Sequence, residues 1–263
     1  MSRKGKDRRV TDTPDFARAE MSREGRIAVL ALASDKVNSL DLEVLAEIAT
    51  FVRFCEEDPG IGALVLTGGG SVFSAGLNVS EILANEKTYT EALLGDFEAA
   101  LLCLFRCPLP TVAAINGPAI AGGCLLACAC DRRLIAEEAR IGVTELRVGV
   151  SFPVVAVELL NHVCGPRAEQ LIFDAELLGA EEACLYGLAH RRLPQSEVRS
   201  AAISAAEQLA AHDARAYALA KASARRAMLS SLEDDGARLL DRQVGDHWQE
   251  DPTRAGLERL LSK

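Results

Sequence analysis

Short apolar runs alternate with stretches of helical period through the first two-thirds of the chain, and few folds accept that order. Residues 26–32 alternate as a strand does. Leu42, Leu45, Ala46, Ala49 and Val52 then recur at helical spacing behind two candidate caps, Ser39 and Asp41. A second strand is expected at 63–67, a helix at 89–105 and a third strand at 111–115. Strand and helix in repetition predict an α/β fold. From about Ser196 the pattern changes to Ala, Leu and charged residues at helical period, through Ala205, Leu209, Leu219, Leu239, Leu240 and Trp248. The C-terminal part, 196–263, is therefore expected to be helical, with Pro194 marking its boundary from a core at 26–195.

Composition narrows the class. With 263 residues, 49% of them hydrophobic, the chain can bury a large single core. A net charge of -9 argues against a nucleic-acid or anionic-membrane partner, since both are held by clustered Lys and Arg. The longest apolar stretch, 111–130, is broken by Asn116, Gly117, Pro118, Gly122 and Gly123, so it reads as strand, turn and helix rather than a membrane span. Residues 1–25 are expected to be a disordered tail: the first fifteen are polar, and Asp7, Asp12 and Asp15 do not suit a transit peptide. A soluble, cytoplasmic protein is expected. Its eight cysteines lie mostly within apolar runs and are expected to be reduced and buried. Cys124, Cys128 and Cys130 lack a Cys-x-x-Cys pair and the four histidines are scattered, so no metal site is expected.

Two glycine-bearing turns carry the chemistry. In FSAGLNVSE, from Phe73 to Glu81, a strand ends in small residues before a short helix, which leaves backbone N–H groups exposed. In INGPAIAGGCLLACACD, from Ile115 to Asp131, Gly122 falls at a helix N-terminus and its neighbours let a ligand approach the main chain. Either turn alone is more simply a packing device where helix meets strand. Two of them converging on one point could donate two N–H bonds to a carbonyl oxygen that gains negative charge, with a helix dipole behind it. Other glycine motifs fail: Gly68, Gly69 and Gly70 do not continue into a dinucleotide fingerprint, and neither a phosphate loop nor a Gly-x-Ser-x-Gly elbow is present.

These two segments, in this order and at this separation, resemble the signatures of the enoyl-CoA hydratase/isomerase (crotonase) superfamily, over roughly residues 26–194. The resemblance implies a spiral of ββα units capped by C-terminal helices, assembled as a homotrimer or hexamer. It also implies an acyl-CoA thioester substrate with no separate cofactor, because coenzyme A arrives as part of the substrate. On that likeness the oxyanion donors are the N–H groups of Leu77 and Gly122. Ala75, Gly76, Asn78 and Val79 line the thioester and adenine region, with Asn78 standing where the family commonly has aspartate. Lys36, Val37 and Asn38 match its early coenzyme-contacting turn.

The hydratase branch uses two glutamates. Here the first position is Leu125 and the second is Glu145, preceded by Thr144 where the isomerase branch has asparagine. Hydration distributes its proton transfers over two carboxylates, whereas moving a double bond needs one. The surrounding segments resemble mitochondrial-type Δ3,Δ2-enoyl-CoA isomerases, which implies a 3-enoyl to 2-enoyl isomerisation in fatty acid oxidation. Judged without the likeness, Glu145 is an ordinary loop carboxylate. An apolar pocket of Leu125, Val143 and Val150 would raise its pKa. Glu81 and Glu98 read as solvated, and Lys221, Arg225 and Arg226 as a basic face that could alternatively meet coenzyme phosphates. Rival readings are hydration, thioester hydrolysis or decarboxylation on the same site, and a catalytically silent binding or assembly subunit.

Overall fold

The central strands are apolar on both faces, the pattern of a parallel sheet covered on each side. The computed structural model describes residues 14–262. β1 (Ala19–Glu24) turns back through Gly25 into β2 (Ile27–Leu32), and β3 (Ser39–Leu40) leads into α1 (Leu42–Glu57). β4 (Ala63–Gly68) and β5 (Gly76–Leu77) precede α2 (Val79–Ala84) and α3 (Lys87–Arg106). β6 (Thr111–Ile115) and β7 (Ala119–Ile120) precede α4 (Gly122–Cys128). β8 (Arg132–Ala136) and β9 (Arg140–Gly142) precede a 3-10 turn (Glu145–Val148) and α5 (Val154–Cys164). A long strand, a short strand and a helix thus recur. The chain continues through α6 (Ala168–Asp174), β10 (Leu178–Gly179), α7 (Ala180–Tyr186) and β11 (Arg191–Leu193). It closes with α8 (Gln195–Ala210), α9 (Ala214–Ser231), α10 (Asp235–His247) and α11 (Asp251–Leu261).

The long strands make a six-stranded sheet in the order β1-β2-β4-β6-β8-β11, parallel except for the β1–β2 pair. The short ones form a second layer, β3 beside β5 and β10-β9-β7, joined by a parallel bridge between Ser74 and Ala119. Of the two candidate caps it is Asp41 that starts α1, its carboxylate accepting from the Val44 N–H at 3.0 Å, while Ser39 lies in β3. Below that cap Val44, Leu45, Ile48, Phe51, Val52 and Cys55 turn into the core.

Two expected boundaries move. Residues 19–24, placed in a disordered tail, are instead the edge strand β1, paired residue for residue with β2 from Ala19 opposite Leu32 to Glu24 opposite Ile27. Only Ala19 and Met21 face inward, so the segment carries too little apolar pattern to read as a strand, and backbone bonds to β2 hold it. Residues 1–13 lie outside the described residues. At the other boundary, α8 lies against β4, β6 and β8 and buries Val198, Ala202, Ile203 and Ala206. The change of composition near 196 is therefore not the end of the core: α8 covers the main sheet.

The helices beyond α8 are tied down by charge. Asp131, at the end of α4, accepts from Arg225 at 2.6 Å and from Lys221 and the Tyr217 hydroxyl at 2.9 Å each, all on α9. It also accepts the Thr111 N–H at 2.8 Å. Lys221 and Arg225 are thus turned into the protein, neither solvated nor free for coenzyme phosphates, while Arg226 is exposed. Burial lowers the Lys221 pKa, and Asp131 acts against that shift. Arg225 also donates to the Phe105 carbonyl and lies over that ring, 3.9 Å from its centre. All eight cysteines are free thiols, six of them buried, and burial pushes the Cys130 thiol up to about 12. No helix among the described residues is long and apolar enough to cross a membrane.

Removing Asp131 strands two buried cations. Asp131→Ala is expected to destabilise the fold by about 3–5 kcal/mol in denaturant unfolding, whereas truncating the exposed Arg226 should change stability by under about 0.5 kcal/mol.

Candidate active site

The two glycine turns meet. Ile120 donates its N–H to the Ser74 carbonyl at 2.9 Å, and the N–H groups of Phe73 and Ser74 donate to the Pro118 carbonyl at 3.0 and 3.2 Å. These bonds lay the FSAGL segment alongside the NGPAI segment, so β5 and the start of α4 are adjacent. A Cβ placed on Gly76, where φ is +93°, would lie 2.9 Å from the Gly122 nitrogen; one on Gly123 would lie 2.2 Å from the Ser74 carbonyl oxygen. Glycine is required at both positions by backbone proximity.

The Gly122 amide is aimed by its predecessor. Ala121 caps α4 at φ +54° and ψ -122°, a left-handed conformation that a residue with a side chain rarely adopts. Its own N–H is fixed to the Gly142 carbonyl at 2.9 Å. Gly122, as the first residue of the helix, has no intrahelical acceptor for its N–H. Neither it nor Leu77 donates to a turn, loop or cap acceptor among the described residues. The main chain at Leu77 and Gly122 borders a cavity of about 230 Å³, which Ala75 and Val79 also line.

Thr144 and Glu145, at the start of the 3-10 turn after β9, line the same cavity. Glu145 is the only titratable side chain among the lining residues; its neighbours there include Leu125, Val148, Val150 and Phe97. Its Oε2 is buried without a hydrogen-bond partner among the described residues. Loss of hydration raises its pKa to about 7, against the opposing pull of the Thr144 and Glu145 backbone N–H groups. Of the expected apolar surround, Leu125 and Val150 line the cavity, while Val143 is buried in the core. A carboxylate that is desolvated, with one oxygen unpartnered among the described residues, and poised near neutrality in a cavity that Leu77 and Gly122 also line has the makings of a base facing an oxyanion site.

The other residues singled out from the sequence have mixed placements. Asn78 caps α2, its side chain accepting from the Glu81 N–H at 3.2 Å. Lys36 and Val37 are exposed on the turn before β3, and the Val37 carbonyl accepts from the Ala75 N–H at 2.9 Å, so that turn borders the first glycine segment. Asn38 is buried at φ +51° and donates its side-chain amide to the Gly69 and Val72 carbonyls at 3.0 and 2.8 Å, bracing the turn behind the site. These three residues do not line the cavity. Glu81 is exposed, and Glu98 is half-buried outside the cavity.

Sequence reasoning missed one wall of the cavity. Ser151, Phe152 and Pro153 come from the loop after Glu145, and Trp248, Leu257 and Leu260 come from α10 and α11. Helical periodicity placed Trp248 on a helix but could not say what that helix would cover. The one local sign is Gly256, at which a Cβ would fall 1.9 Å from the Val148 carbonyl oxygen, so α11 lies backbone against backbone on the turn that carries Glu145.

Comparison with known proteins agrees with this geometry. The sequence model described as enoyl-CoA hydratase/isomerase matches residues 22–262. A putative enoyl-CoA hydratase of Thermus thermophilus is 36% identical over 71% of this chain and 76% of its own length. The human protein named enoyl-CoA delta isomerase 1, mitochondrial, is 33% identical over 78% of this chain and 70% of its own. The crystal structure of human mitochondrial Δ3,Δ2-enoyl-CoA isomerase superposes with a TM-score of 0.88 at 29% identity, covering 93% of this chain and 97% of that one. An enoyl-CoA hydratase/isomerase from Xanthobacter autotrophicus Py2 superposes at 0.80 with 26% identity, covering 93% and 97%. With its crotonase fold of repeated strand–strand–helix units and a C-terminal helical region, the chain belongs to the enoyl-CoA hydratase/isomerase family, whose members act on acyl-CoA thioesters.

Proposed function

We propose that this family member is a Δ3,Δ2-enoyl-CoA isomerase. The observation that carries the reading is that Glu145 stands alone: it is the one carboxylate among the described residues lining the cavity, and Leu125, which the family resemblance puts at the position of a second, lines it too. In this mechanism the thioester oxygen of a 3-enoyl-CoA accepts from the N–H groups of Leu77 and Gly122. Glu145 takes a proton from C2, and the electron pair of that C–H bond becomes the C1–C2 double bond of a dienolate whose charge rests on the oxygen. When the carbonyl re-forms, the C1–C2 pair moves to C2–C3. The former C3–C4 pair takes the proton back from Glu145 at C4. No atom is gained or lost, and the product is the conjugated 2-enoyl-CoA.

Each part has a physical reason. Withdrawal of a proton from carbon is assisted when the developing oxyanion meets fixed donors in a dry site, and one such donor is typically worth about 100- to 1,000-fold in turnover. A base whose pKa lies near working pH is both available and strong enough to act. Thr144 lines the cavity beside Glu145, where it can help seat the thioester. The relatives named as hydratases define the rival: water addition across a 2-enoyl thioester, for which this cavity offers no second carboxylate.

Ultraviolet absorbance of the conjugated thioester separates these readings. Purified protein is expected to raise it with a 3-enoyl-CoA and to leave a 2-enoyl-CoA unconsumed, with Glu145→Gln lowering the rate by about 100- to 10,000-fold. A falling signal with the 2-enoyl substrate would instead identify a hydratase, and no signal with either would remove Glu145 from this chemistry.

The base must be ionised to act, so kcat/KM should climb with pH through about 7 and level off above it. A pH–rate profile with its acid limb near 4.5 would contradict a desolvated base.

The same burial has a cost for folding. Between about 4.5 and about 7 the folded protein holds a proton on Glu145 that the unfolded chain has lost, so stability falls as pH rises across that window and is constant above it. Glu145→Gln is accordingly expected to be more stable than wild type at pH 8, by about 3 kcal/mol. The difference should vanish below pH 4.5 in urea titrations at each pH.

A further inference from the structure

One wall of the cavity, the one that includes Ser151 and Trp248, is held more rigidly than a hydrophobic wall requires. Trp248 caps the C-terminus of α10, buried to 5% exposure, and donates its indole N–H to the Ser151 carbonyl at 3.0 Å. Behind it runs a closed chain of polar contacts. The Ser151 Oγ is 3.0 Å from His247 Nδ1, His247 Nε2 is 3.4 Å from the Thr253 Oγ1, and Thr253 donates to the Gly149 carbonyl at 3.2 Å. One consistent arrangement has the Thr253 hydroxyl donating to Gly149 and accepting from His247 Nε2, while Nδ1 accepts from the Ser151 hydroxyl. Every group has a partner, and the loop at 149–153, the end of α10 and the start of α11 are locked to one another.

A wall of Leu and Phe can yield by changing rotamers. Trp248 cannot swing away without leaving its N–H buried and unpaired. We infer that Trp248 is the fixed end-stop of the acyl subsite and sets the longest chain this protein accepts. The inference rests on the acyl-CoA reading above and adds a specificity determinant to it: an upper limit on the length of the acyl chain.

Binding rather than turnover tests this, so the result does not depend on which reaction the site performs. Saturated acyl-CoAs from butanoyl to dodecanoyl are titrated calorimetrically into the full-length protein. For wild type, affinity is expected to rise about fourfold per added methylene, the equivalent of ~0.8 kcal/mol, and to stop rising at a chain length within this series. Trp248→Ala should carry the rise at least two methylenes further, and Trp248→Phe, which keeps an aromatic ring but loses the N–H to Ser151, should also move the break outward, by less than Trp248→Ala. Circular dichroism establishes that each variant is folded; if Trp248→Ala is not, Trp248→Leu takes its place. A break at the same length in a folded Ala or Leu variant would overturn the end-stop while leaving the acyl-CoA reading intact. Failure of wild type to bind any acyl-CoA would overturn both.

Discussion

The site depends on the close approach of two stretches of main chain. Backbone bonds from Phe73, Ser74 and Ile120 pull the first glycine turn against the second until Gly76 leaves no room for a methyl group beside the Gly122 nitrogen. That contact fixes where β5 lies against α4, and with it the relative position of Leu77 and Gly122, the two donors of the proposed mechanism. The strained backbone of Ala121 belongs to the same arrangement: an unfavourable conformation is held in place by the bond from its N–H to Gly142 and by the helix that starts immediately after it. Because the donors are main-chain groups, the side chains around them are free to form an apolar cavity.

That cavity gives Glu145 its character. A carboxylate with a water shell would be a weak base, and one paired to an arginine would be weaker still. Here nothing of opposite charge lines the pocket and one oxygen has no partner among the described residues, so the proton is held more tightly. The stability forgone by burying the group is offset elsewhere in the fold. The Asp131 cluster shows the contrasting arrangement, with buried charges that are each paired and that hold α9 against the sheet.

Much of this was legible in the sequence because the signals were local. Glycines at 76, 122 and 123 stand out in short motifs, although the backbone they make room for lies in the other motif, and the strands β2, β4 and β6 are short segments rich in apolar residues. What escaped was long-range. β1 has two inward residues and is held by hydrogen bonds that any sequence could make, so its composition resembles a tail. Lys221 and Arg225 look like a charged helix face until Asp131, some ninety residues earlier, is brought beneath them. Trp248, Leu257 and Leu260 wall a cavity whose base is about a hundred positions away, and no period within α10 or α11 encodes that destination.

The contact of Gly256 with Val148 links the last helix to the reacting end of the site. A neighbour of the base and a wall of the acyl subsite rest on one rigid seam, with Leu257 and Leu260 on the cavity side of the same helix. A displacement of α11 would therefore also disturb the turn that carries Glu145, so a substitution at Gly256 is felt at both places.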